Sequence, residues 1–228
     1  MIEDRIRENL DRVRGRIAEA ARRSGRAPDA VRLVAVTKKN PPERILPLIA
    51  HGQLDLGENF PQELWKKVEA LADQPVRWHL IGHLQTNKAK RTAAMVHLIH
   101  SVDSLKLLRL IDALESPPAV LLQANCSGEE AKHGWSPEAM LAEAEAIASC
   151  ARVPIVGLMT MAGYDTTNEE ARPTFALLRD LRDQMRSRTG LDLPELSMGM
   201  SGDFEAGIEE GATLVRVGSA LFEGLDAP

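Results

Sequence analysis

Aromatic side chains are scarce in this chain: 4% of its 228 residues, with a single tyrosine. Its core must therefore be built from Leu, Ile, Val, Ala and Met. Cysteine is scarcer still, at Cys126 and Cys150 only. Two thiols make no disulfide framework, and neither belongs to a Cys/His cluster with zinc-ligand spacing, so reduced thiols in a cytoplasmic protein and no metal ligands are expected. Long basic runs are missing: 28 Lys and Arg face 33 Asp and Glu, for a net charge of −5. That argues against nucleic acid as the main partner. The pairs Lys66-Lys67 and Arg22-Arg23 fall in helical patterns and read as solvated faces. No stretch approaches the ~20 apolar residues of a membrane-spanning helix, and a charged amphipathic segment, not an apolar one, follows Met1. No leader and no membrane partner are expected. The G-x-G-x-x-G signature is absent too, which weighs against a dinucleotide-binding sheet.

The residues present spell a repeating pattern. Ile6, Leu10, Val13 and Ile17 recur at helical spacing and Gly25 stops them, giving an N-terminal helix within residues 1–25. Eight strand–helix units follow. Strands are predicted at 31–36, 54–56, 77–81, 96–99, 119–125, 155–158, 195–197 and 213–217. Helices are predicted between them, including one from the Ser136-Pro137 cap to about Cys150. The first strand begins near Val31 and the eighth near Thr213, seven steps of about 26 residues each. This period suits a (β/α)8 TIM barrel with an extra N-terminal helix, which commonly takes ~250 residues and tolerates ~200. One domain over residues 1–228 is expected, with the first helix packed on the barrel.

Unusual residues collect just after the strands: Lys38, Glu58-Asn59, His83, Asn125, Met159 to Met161, Met198 to Ser201, and Gly218-Ser219. In a parallel barrel these loops ring one mouth, the face where chemistry sits. Lys38 closes an apolar β-branched run, and a partly desolvated lysine there is an amine nucleophile. Gly199, Ser201 and Gly202 let backbone approach an anion, and Asp203 stands where a helix would begin with free amides. Gly218-Ser219 offers a second small turn. Arg216 lies between Val215 and Val217. It either points outward, or, if both valines face the helices, faces a ligand in the mouth. An amine and a phosphate cradle sharing one opening suggest pyridoxal 5′-phosphate (PLP).

Six segments, in order, then carry a resemblance. They are Leu33-Val34-Ala35-Val36-Thr37-Lys38, Gly57-Glu58-Asn59, the run from Trp78 to Lys88, Gly157-Leu158-Met159-Thr160-Met161, Leu196 to Ser201, and Val215 to Phe222. The chain resembles the YggS/PROSC family of pyridoxal phosphate homeostasis proteins over nearly its whole length. The resemblance implies a barrel like that of alanine racemase and a Schiff base between Lys38 and the cofactor. It implies that Ser201, Gly218 and Ser219 contact phosphate, Arg216 faces the pyridine nitrogen, Asn59 lies beside the cofactor, and Met161 and Met200 pack on the ring. Thr37 stands where the family commonly has serine, and Glu223 intervenes before Gly224.

These readings converge on a PLP carrier without a catalytic residue. It would hold the cofactor and pass it to PLP-dependent apo-enzymes as a monomer. The alternative is a racemase-like amino-acid enzyme, which needs a second base across the ring; Tyr164, after strand six, is the one tyrosine that could serve. A sugar-phosphate enzyme using Lys38 without a chromophore is the third reading.

Overall fold

The computed structural model describes residues 2–129, 133–163 and 166–225. Helix α1, Ile2–Arg23, precedes eight strands: β1 Arg32–Val36, β2 Asp55–Glu58, β3 Arg77–Leu80, β4 Leu98–Val102, β5 Ala119–Gln123, β6 Ile155–Met159, β7 Glu195–Ser197 and β8 Leu214–Val217. Each pairs in parallel with the next, and β8 pairs with β1, so the sheet closes. The helices between them are α2 Pro42–Ala50, α3 Pro61–Ala70, α4 Thr86–Ala93, α5 Leu105–Asp112, α6 Pro137–Ala142, α7 Ala144–Ala148, α8 Asn168–Thr189 and α9 Phe204–Glu209. This is the (β/α)8 barrel that the spacing predicts. Among the described residues no helix is long and apolar enough to cross a membrane.

The strand alternation sorts two cores. Leu33, Ala35, Val215 and Val217 face the helices and join the large outer core. Val34, Leu98, Leu121, Met159 and Leu214 point inward and form a small apolar layer inside the barrel. A residue between two outward valines must therefore point in. Local chemistry sets the helix ends. The Thr167 hydroxyl caps α8 while Glu170 reaches back to the Thr167 amide, and Gly190 ends it at φ 71°.

Helix α1 packs against α9 and the turn after β8. The Asn9 amide donates to the carbonyls of Leu221 (3.1 Å) and Glu223 (2.9 Å), and Arg12 pairs with the Glu223 carboxylate at 2.7 Å. The side chain of Glu223, the departure from the family pattern, thus adds an exposed ion pair to the packing of α1.

Three expectations are corrected. Strand β4 runs to Val102, so His100 and Ser101 are buried strand residues rather than loop residues. The predicted helix to Cys150 is two short helices meeting at Glu143, whose carboxylate takes the Trp135 indole N–H at 2.9 Å. Lys67 is buried, not solvated. It occupies the same face of α3 as Leu64 and Leu71, three and four residues away, and that stripe faces the barrel.

Candidate cofactor site

A cavity of about 630 Å³ opens at the carboxyl ends of the strands. All eight residues expected from the sequence line it: Lys38, Asn59, Met161, Met200, Ser201, Arg216, Gly218 and Ser219. Lys38 is the only lysine at this cavity among the described residues. It sits on a turn in which the Asn40 amide donates to the Thr37 carbonyl (3.0 Å) and Lys39 adopts φ 63°. Lys39 does not line the cavity. The protein leaves Lys38 exposed, which corrects the expectation of a partly desolvated lysine.

The turn is braced from below. The Lys67 ammonium donates to the Thr37 carbonyl at 2.8 Å and to the Glu58 carboxylate, and the Thr37 hydroxyl donates to the same carboxylate at 2.6 Å. Thr37, in the place of a family serine, supplies one arm of this brace. Asn59 is fixed by contact between loops: a Cβ on Gly82 would fall 2.1 Å from the Asn59 carbonyl, so only glycine lets the two chains approach.

Across the mouth, Gly199 turns at φ 96° where a Cβ would meet the Phe204 backbone at 2.8 Å. The Met200 amide donates to the Asp203 carboxylate at 2.5 Å, and burial pushes that carboxyl up against the pull of this amide and Arg216. The amides of Asp203 and Phe204 donate to the Met200 carbonyl at 3.2 and 2.9 Å. The expectation that the helix-start amides are free is therefore corrected. Those of Ser201, Gly202 and Ser219 have no protein acceptor among the described residues. The Gly218 amide donates to the Ser201 hydroxyl at 3.2 Å, tying the loops after β7 and β8 together.

Arg216 points inward and is 3% exposed. Its Nη1 donates to Ser197 Oγ at 2.5 Å and its Nη2 to the Thr160 carbonyl at 2.9 Å. Burial brings it down to about 10, with the field of Asp203 opposing, so it stays a cation at neutral pH. From Ser197 a relay runs to the foot of the barrel. Ser197 Oγ lies 2.8 Å from His100 Nδ1, His100 Nε2 lies 2.9 Å from His79 Nδ1, and His79 Nε2 lies 3.0 Å from Asp55 Oδ1. Burial lowers both histidines and keeps them neutral. The Asp55 carboxylate only accepts, so each proton in the chain points toward it and Ser197 is left to accept from Arg216. The sequence reading missed this relay. Its signal was present: polar residues inside strand patterns, in Trp78-His79-Leu80 and Ile99-His100-Ser101-Val102. Tyr164, the candidate second base, lies outside the described residues.

Arg77 clamps Asp55 with bonds of 2.8 and 2.5 Å. Burial alone would raise the Asp55 carboxyl, but Arg77 and His79 win and hold it far below the usual range. The unfolded chain therefore takes up this proton first. The stabilisation is complete above about pH 4 and is lost as pH falls through the folded value. Salt screens part of it, because Arg77 is half exposed. Asp55→Asn is expected to cost on the order of 2 kcal/mol at pH 7 and to flatten the acid limb of a stability–pH curve. An unchanged limb in urea melts would refute the pairing.

Three comparisons with known proteins meet this geometry. The family model for the alanine racemase N-terminal domain matches residues 4–226. The pyridoxal phosphate homeostasis protein of Aquifex aeolicus is 43% identical over 219 residues, covering 94% of this chain and 96% of that one. The structure of PipY from Synechococcus elongatus with PLP bound superposes with a TM-score of 0.79 at 37% identity, covering 90% of this chain and 99% of that one. Alanine racemase from Corynebacterium glutamicum shares the fold at a TM-score of 0.75 and 15% identity, over 98% of this chain and 63% of its own. The chain belongs to the pyridoxal phosphate homeostasis proteins, within the wider family of the alanine racemase N-terminal domain.

Proposed function

We propose that the chain binds pyridoxal 5′-phosphate in this cavity and serves cofactor homeostasis by holding and releasing it. One observation carries the reading. Lys38, the one lysine there among the described residues, Arg216 and two loops with unspent amides converge on one cavity large enough for a small aldehyde phosphate. The residues fit the group. Lys38 would hold the aldehyde carbon through its amine, with loss of water. The amides of Ser201, Gly202 and Ser219 and the hydroxyls of Ser201 and Ser219 offer donors to a phosphate. Met161, Met200 and Asn59 bound the space between.

Bound PLP supplies electron withdrawal to whatever amine it carries. Arg216 limits that supply. A guanidinium only donates, so a ring nitrogen facing it would stay an acceptor, whereas a carboxylate there would protonate it. This supports a carrier over a racemase-like enzyme. The open mouth and exposed Lys38 favour exchange with other amines. The proposed recipients are PLP-dependent apo-enzymes. The proposed working form is a cytoplasmic monomer with Cys126 and Cys150 as thiols; burial pushes Cys126 up to about 11.

Titration of the purified full chain with PLP is expected to give a visible absorption band that saturates at a single equivalent. The loaded protein is expected to restore activity to a PLP-dependent apo-enzyme. No band, or a loaded protein that restores nothing where free PLP does, would refute the reading.

A further inference from the structure

Three side chains on the rim of the mouth take no part in that reading. His83 follows β3, Asp103 follows β4, and His133 stands in the connection after β5. Both histidines also line the cavity. Their imidazoles stack, with centroids 4.1 Å apart and planes 14° apart. Both direct Nδ1 at one oxygen of Asp103, His83 at 2.9 Å and His133 at 3.8 Å. The first distance is a hydrogen bond and the second is beyond reach of one. A hydrogen bond holds the first ring to the carboxylate, and stacking on it carries the second ring to the same oxygen, so three ligand atoms converge.

We propose that His83, Asp103 and His133 form a site for a divalent transition-metal cation of the zinc type. The three ligand atoms lie within 4.8 Å of one another. Bonds of ~2.1 Å in tetrahedral geometry set ligand atoms ~3.4 Å apart. The closure is small, and the two histidines, 42% and 60% exposed, have room to rotate into it, while Asp103 is 11% exposed. Two imidazoles and one carboxylate select zinc, cobalt or nickel over magnesium and calcium, which prefer all-oxygen sites. Three protein ligands leave a coordination position for water, which makes the site exchangeable rather than structural.

The ligands come from three consecutive loops, half-way round the barrel from the loops after β7 and β8. A bound ion would pin the connection after β5 to those after β3 and β4, on the side of the mouth opposite Ser201 and Ser219. The site does not depend on PLP binding, and the two are tested separately.

The test is a cobalt(II) titration of the tag-free full-length chain without added cofactor, read by visible absorption, with zinc(II) as competitor. A saturable band at a single equivalent, displaced by zinc, is expected. His133→Gln and Asp103→Asn should each weaken binding at least about tenfold while melting without metal stays as in the parent. If Asp103→Asn fails to fold, His83→Gln replaces it, since His83 is exposed. No saturable band, or equal affinity in the parent and the histidine variants, would overturn the site.

Discussion

Lys38→Ala is expected to abolish the visible band that PLP gives with the parent chain and to remove covalent attachment entirely. The reason is positional. Lys38 is the single described lysine at the cavity, whereas Lys39 turns away from it on a left-handed residue. The anion cradle is untouched by the substitution, so a weaker, colourless association through phosphate should persist. The variant should also fold normally. An exposed side chain truncated to alanine changes stability by no more than about 0.5 kcal/mol. Thermal melts separate the two effects. At a hundredfold excess over Kd the parent gains about 2.7 kcal/mol from its ligand, and the variant should gain a small part of that at the same concentration. A variant that keeps both the band and the full thermal gain would sink the assignment of Lys38.

Lys67→Met should produce the largest loss of stability. Lys67 and Glu58 are 8% and 1% exposed at their side chains. Removing the ammonium leaves the Glu58 carboxylate buried with, among the described residues, the Thr37 hydroxyl to answer it. Breaking a buried pair in this way costs ~3–5 kcal/mol, or about 6–20 °C in Tm for a chain of this size. Replacing both partners, Lys67→Met with Glu58→Gln, removes the stranded charge and should recover much of the loss. The double-variant cycle isolates their coupling. Because the ammonium also holds the Thr37 carbonyl, the single variant should loosen the Lys38 turn and weaken PLP binding after temperature is adjusted to equal folded fraction. A single variant that melts with the parent would remove the brace from the account.

The barrel was legible because apolar β-branched runs recur at an even spacing and because each ends in small or polar residues. The alternative left open for Arg216 resolved by alternation alone: Val215 and Val217 belong to the outer core, so the arginine is inside. What stayed hidden needed three-dimensional neighbours. A helical stripe reveals that Lys67 shares a face with Leu64 and Leu71, but not that Glu58 waits beneath it. The His79–His100–Ser197 relay joins two neighbouring strands to β7, 97 residues further on from His100, and no local spacing encodes such a contact. The amides before α9 looked free because a helix start leaves donors unspent; the Met200 carbonyl folds back and takes two of them. The family departures at Thr37 and Glu223 were visible as letters, and their partners, Glu58 and Arg12, were not.

Borohydride reduction of the PLP-loaded chain, followed by peptide mass mapping, fixes the bond where it forms and reads its position directly. The account predicts one added pyridoxyl phosphate per chain, on the peptide containing Lys38. Label on Lys67, on Lys39, or scattered over surface lysines would contradict it.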